Sequence, residues 1–135
     1  MKQLDDTFSL LHAVIHDEEL QMKAEMGVEI SGQQLMVLNY ISKNTETIQR
    51  DVVAFLNRKA ATVSVLLKNM EANGWIDRKV PDDNSRNKNI YLTKAGNELV
   101  QTYQLVQKRV RKQMLDGLTM DELSQLNELL QKVNN

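Results

Sequence analysis

The sequence predicts a mainly α-helical chain that carries one small antiparallel β-hairpin. Three observations lead there. Apolar residues recur at helical spacing along most of the 135 residues. A single proline and five glycines leave room for long helices. Only between residues 75 and 93 does the pattern change. Trp75-Ile76-Asp77-Arg78-Lys79-Val80 reads as a short strand, Pro81-Asp82-Asp83-Asn84-Ser85 as a turn, and Asn89-Ile90-Tyr91-Leu92-Thr93 as the returning strand.

Residues 3–26 read as one long helix, with Leu4, Phe8, Leu11, Ile15, Met22 and Met26 in a stripe at spacings of 3, 4 or 7. Gly27-Val28-Glu29-Ile30 breaks it. Ser31-Gly32-Gln33-Gln34 is a capping box: the Ser hydroxyl takes the third amide and the Gln side chain returns the bond. It opens a second helix with Leu35, Leu38, Tyr40 and Ile41 among its apolar positions, followed by a loop at Lys43-Asn44-Thr45-Glu46. Thr47 is the expected cap of a third helix, whose apolar positions are Val52, Val53, Phe55 and Leu56. Asn57-Arg58 makes the turn to a fourth.

In that fourth helix Val63, Leu66, Leu67 and Met70 fall at i, i+3, i+4 and i+7, on one side. The opposite side carries Ala61, Val65, Lys68 and Ala72, flanked by Thr62, Ser64 and Asn69. An ordinary solvent face would hold more Glu and Lys; a face that must enter a groove cannot be bulky. Asn73-Gly74 stops the helix, because both residues tolerate the left-handed cap conformation. After the hairpin, Thr93 begins a fifth helix with a stripe of Leu99, Tyr103, Val106, Val110 and Met114. Asp116-Gly117 ends it. A second capping box, Thr119-Met120-Asp121-Glu122, opens a sixth helix with Leu123, Leu126, Leu129, Leu130 and Val133.

Helix, short turn, helix and then a hairpin with cations near its tip is the layout of a winged helix-turn-helix. In that layout the fourth helix lies in the DNA major groove and the hairpin tip reaches the neighbouring minor groove. The chain resembles the MarR family of bacterial transcription regulators. The residues that carry the resemblance are Thr62-Val63-Ser64, then Met70-Glu71, Gly74-Trp75-Ile76 and Arg78, then Asp83, Arg86, Ile90, Leu92-Thr93 and Gly96. Their ordered combination is specific, and the resemblance covers nearly the whole chain.

That resemblance implies a winged helix-turn-helix DNA-binding region at 31–93. It implies a helical dimerisation region at 1–30 and 94–135, with Leu4, Phe8, Leu11, Leu123, Leu126 and Leu130 at the interface. A two-fold dimer presents two recognition helices to a pseudo-palindromic operator about one helical turn apart. Arg86 matches the family's wing arginine, which enters the minor groove; narrow A/T-rich grooves attract such a cation. Lys88 is a second phosphate contact. Thr62 is a candidate for phosphate, Ser64 and Lys68 for base or phosphate, and Ala61 and Val65 for thymine methyl groups.

Three positions depart from the family pattern. Many members carry Arg where this chain has Val65, so a bidentate guanine contact is lost and a site poorer in G·C is expected. Lys59 stands where Ser or Asp caps the recognition helix. A cation there opposes the helix terminus by ~0.3–1 kcal/mol, which makes sense beside a phosphate. Asn84 replaces the usual acidic partner of the wing arginine, with Asp82 or Asp83 as substitutes. Arg78 is expected to buttress the wing through an internal ion pair.

The net charge of −1 is unevenly spread. Residues 1–45 set three cations against seven carboxylates, while residues 46–95 set nine against six. The positive charge sits in the candidate DNA-binding segment, and it is modest, so weak non-specific binding is expected. The absence of cysteine excludes disulfides, thiolate metal sites and a thiol switch within the chain. No apolar run reaches membrane-span length and the N-terminus lacks a signal-peptide pattern, so a cytoplasmic protein is expected.

No nucleophile–base pair, glycine-rich phosphate loop or HExxH occurs, which argues against an enzyme, and no cofactor is expected. His12 and His16, one helical turn apart, are a weak metal or pH-sensing candidate; two histidines on a helix face are the commoner meaning. Met22, Met26, Met36 and Met70 are candidates to line an adaptable pocket for a small lipophilic or aromatic effector, although methionine at helical spacing is more often core. The basic block Lys108-Arg109-Val110-Arg111-Lys112 is expected away from DNA; Asp17-Glu18-Glu19 offers it opposite charge across the dimer, each exposed pair contributing only about 0–1 kcal/mol, and a solvated face is the commoner meaning. The expected function is a dimeric, sequence-specific DNA-binding regulator, a repressor released by an effector. The alternatives are a protein-interaction module without DNA affinity and a metal-responsive regulator using His12 and His16.

Overall fold

The computed structural model describes residues 1–79 and 88–134. Its elements run α1 (Lys2–Met26), α2 (Gly32–Lys43), α3 (Gln49–Leu56), α4 (Ala60–Ala72), β1 (Ile76–Lys79), β2 (Asn89–Leu92), α5 (Lys94–Met114) and α6 (Met120–Asn134). The fold is mainly α with one two-stranded antiparallel sheet, as the periodicity predicts. By contact the chain forms two compact units, residues 26–104 and residues 1–25 with 105–135.

In the unit of residues 26–104, both ends of the helices are specified locally. Ser31 Oγ accepts from the Gln34 N–H at 3.0 Å, and Gln34 Oε1 accepts from the Ser31 N–H at 2.9 Å. Thr47 departs from its expected role. It is buried, and its hydroxyl donates to the Asn44 carbonyl instead of capping α3. The N-cap is Ile48, whose N–H is taken by the Asp51 carboxylate at 2.9 Å. Asp51 thus satisfies the N–H of the N-cap residue and its charge suits the helix N-terminus, while no side chain of the N-cap accepts from the first amides of α3. Asn57, at φ 52° and ψ 47°, turns the chain from α3 into α4 in the left-handed region that asparagine tolerates.

The core of this unit is aliphatic. Val37, Leu38, Val52, Val63, Leu67 and Met70 have no exposed surface, and Ile76 and Ile90 of the sheet are 2% exposed. Tyr40 and Phe55 stack with ring centroids 4.5 Å apart and join α2 to α3. The sheet is tied in as well: the Ile90 N–H donates to the Thr47 carbonyl at 2.7 Å.

In the other unit the buried residues are Met22, Val106 and Val110. The Arg111 guanidinium pairs with Glu18, Nε to Oε2 at 2.6 Å, and Arg109 pairs with Glu25. Both pairs form within one chain, between α5 and α1. Glu18, a candidate partner for the basic block across a dimer, pairs instead within one chain, and both arginine side chains stay more than half exposed, as a solvated face implies. Thr119 and Glu122 form the second capping box, with bonds of 3.1 and 2.9 Å. α6 buries no residue.

Candidate nucleic-acid interface

α4 is the centre of the site. Val63, Leu67 and Met70 fix its inner face in the core, which leaves the opposite face outward. Ala61, Thr62, Val65 and Lys68 are exposed and Ser64 is half-buried. Val65 keeps 60% of its surface, so its methyl groups are free to meet an apolar group such as a thymine methyl. Between Asp51 and Glu71 the sequence contains no carboxylate, so α4 carries none before its last turn, where Glu71 is exposed. Lys59 is the N-cap residue and makes no side-chain cap, which leaves the first amides of α4 unclaimed by a side chain and its ammonium exposed.

α4 ends in a Schellman motif. The Trp75 N–H reaches the Met70 carbonyl at 3.1 Å, and the Gly74 N–H reaches that of Glu71 at 3.0 Å. Gly74 sits at φ 78°, where a side chain would be strained. The turn leads directly into β1, so the helix ending also sets where the hairpin starts.

The register pairs Ile76 with Leu92, Asp77 with Tyr91, Arg78 with Ile90 and Lys79 with Asn89. Alternation then places Arg78 on the same face as Ile76 and Ile90, toward the core. There its Nη1 donates to Gln49 Oε1, the first residue of α3, at 3.2 Å. Arg78 thus links β1 to α3 through a neutral amide, and among the described residues no carboxylate pairs with it, while Asp82 and Asp83 lie outside them. Its Nε and Nη2 are buried and find no acceptor among the described residues. On the other face, the Lys79 ammonium lies 5.7 Å from the Tyr91 ring centroid.

The hairpin's far end is joined to α4 and α5 through Thr93. Its N–H donates to the Trp75 carbonyl at 3.1 Å, its hydroxyl donates to the Gly74 carbonyl, and the same oxygen accepts from the Gly96 N–H at 3.1 Å. Gly96 is required here, because a Cβ would overlap the Trp75 carbonyl oxygen. One threonine thus caps α5 and fixes the strand beside the recognition helix.

A cavity of about 550 Å³ opens between the start of α3, the start of α4 and the hairpin. Ile48, Val53 and Ile90 form apolar walls, while Arg50, Arg78 and Lys88 bring three cations to it. Arg50 and Lys88 are exposed. Sequence reasoning missed this grouping. Strand alternation was the available signal for Arg78, but nothing local pairs it with Gln49.

Arg86, Asn84, Asp82 and Asp83 lie outside the described residues. His12 and His16 are exposed on α1, and among the described residues no group of three or more His, Cys, Asp or Glu converges as a metal would need. Met22, Met26 and Met70 are buried, Met36 is 48% exposed, and none of the four lines the cavity. Of the expected interface residues, Leu4 and Phe8 are exposed and Leu11, Leu123, Leu126 and Leu130 half-buried. Among the described residues no helix is long and apolar enough to cross a membrane.

Comparison with known proteins agrees with this architecture. Residues 29–86 match a sequence model of the MarR family. The chain is 26% identical over 114 residues to YdgJ of Bacillus subtilis (strain 168), described as an uncharacterized HTH-type transcriptional regulator; the match covers 84% of this chain and 70% of that protein. S. aureus MepR in its DNA complex is similar with a TM-score of 0.75 and 26% identity, covering 92% of this chain and 91% of that one. A structure assigned to a MarR family transcriptional regulator from Clostridium acetobutylicum is 30% identical with a TM-score of 0.71, over 96% of both chains.

Proposed function

The chain belongs to the MarR family of transcriptional regulators, and from that premise we propose that it is a dimeric repressor that binds a pseudo-palindromic, A/T-rich operator. The observation that carries this reading is the outer face of α4: small, neutral or cationic, exposed, and without a carboxylate between Asp51 and Glu71. S. aureus MepR, similar over nearly its whole length, has been solved with DNA. Lys68 and Ser64 contact bases or phosphates, Ala61 and Val65 meet thymine methyls, and Thr62 and Lys59 face the backbone. Arg86 enters the minor groove and Lys88 holds a phosphate beside it.

Residues 1–30 and 94–135 form the dimerisation region. The exposed apolar residues of α1 and α6, among them Leu4, Phe8, Leu129 and Val133, support this. A small lipophilic or aromatic effector changes the separation of the two winged regions and so releases the operator. The protein acts in the cytoplasm, where the chromosome is.

Fluorescence anisotropy on DNA from the gene's own upstream region, against scrambled DNA over a salt series, tests the reading. Salt-sensitive preference for the upstream DNA that weakens in Arg86→Ala is the expected result. No binding to any DNA at low salt, including sequences selected from a random pool, would sink it.

A further inference from the structure

A recognition helix in a major groove and a hairpin in the adjacent minor groove must straddle one sugar–phosphate strand, the one that separates the two grooves. The protein surface facing that strand lies between the start of α4 and the hairpin. The three-cation cavity lies in that interval. Ala60, the first residue of α4, forms one edge, and Arg78 and Lys88 of the hairpin region form the other. Ala60 has no side chain beyond Cβ to block the mouth. Among the described residues no carboxylate lines the cavity.

The chemistry of the cavity suits an oxyanion. Arg78 spends Nη1 on Gln49 and leaves Nε and Nη2 without an acceptor among the described residues. Buried donors of a guanidinium normally find partners, and a phosphate offers the planar, two-oxygen match that a guanidinium takes best. Gln49 and Arg50 are the first two residues of α3, so the positive end of that helix adds to the field. We propose that this cavity is a phosphate subsite. It holds one backbone phosphodiester of the operator between Arg50, Arg78 and Lys88, and through the Arg78–Gln49 bond it sets the wing against α3 when DNA is bound. This inference rests on the DNA-binding reading above.

The test uses the full chain and methylphosphonate-substituted operators, each neutral at one phosphate. In the wild type, one position on the strand between the two grooves should weaken binding about tenfold, and in Arg78→Met the same position should cost nothing further. Arg78→Met and Lys88→Gln should each weaken upstream and scrambled DNA by the same factor and lower the slope of log affinity against log salt by about 0.9. Lys88 is exposed, so its variant keeps the test decisive if Arg78→Met fails to fold. An unchanged slope in Lys88→Gln, with methylphosphonate effects that add to those of the variants at every position, overturns the subsite while leaving DNA binding intact. A rise in melting temperature with inorganic phosphate over matched chloride, with a flat methylphosphonate scan, assigns the cavity to a free oxyanion and also overturns it. A wild type that binds no DNA removes this inference and the function together.

Discussion

The two compact units solve the problem of burial differently. Within residues 26–104, six aliphatic side chains from three helices are completely withdrawn from water, and the sheet closes over them through Ile76 and Ile90. Within residues 1–25 and 105–135, helices just as regular bury little. α1 keeps Phe8 61% and Ile15 57% exposed, and α6 keeps Val133 72% exposed. Capping signals are equally good in both, so helix formation is not what separates them. The difference is in what the apolar stripes meet. The winged unit supplies its own partners, whereas the terminal helices carry surface that costs about 25 cal/mol per Å² to leave in water. A stripe of that kind is made for another surface, and a second copy of the chain is the proposed one.

Substitutions that load the two units unequally would sharpen or break this contrast. Leu67→Ala empties a fully buried position and should destabilise the chain by about 3 kcal/mol in urea denaturation. A loss below about 1 kcal/mol would mean the winged core is looser than its burial indicates. Gly96→Ala should cost about 2 kcal/mol, because the new methyl group drives α5 away from the Trp75 carbonyl. Its melting temperature should fall together with the Trp75 fluorescence transition. Thr93→Val keeps the side chain's shape and removes the α5 cap and the bond to Gly74; about 1 kcal/mol is expected, measured in the same way.

The smallest effect on the chain's own fold should come from Phe8→Asp. The residue is exposed within one chain, so the monomer should change by no more than about 0.5 kcal/mol. Light scattering after size exclusion should nevertheless show the mass falling from two chains to one. A mass of two chains retained in Phe8→Asp would place the interface elsewhere.

Much of the fold is legible in the sequence because its signals are short-range. The Ser31–Gln34 and Thr119–Glu122 boxes span three residues, the α4 stripe spans seven, and Asn73-Gly74 announces its own cap. All are readable without knowing what packs on what. The misreadings are of two kinds. Thr47 and Asp51 are both plausible around a helix start, and propensity alone does not decide between them; burial of Thr47 does. The remaining cases are long-range. Arg78 meets Gln49 across 29 residues, Arg111 meets Glu18 across 93, and Gly96 is held by a carbonyl 21 positions away. Composition reveals that such groups exist, and only the fold brings them together. The same applies to the candidate site: the outer face of α4 follows from periodicity, while the three-cation cavity depends on strand register.

α5 runs unbroken from Lys94 to Met114, and the border between the two units, at Gln104 and Leu105, falls inside it. On one side of that border Val100 is buried, and on the other Val106 and Val110. There is consequently no linker to cut at this point. A protease would find only continuous helix, and a gene trimmed there would end in torn helical hydrogen bonds. Dissecting this chain into a free DNA-binding fragment and a free assembly fragment should fail, because the rod that ends one part is the rod that begins the other.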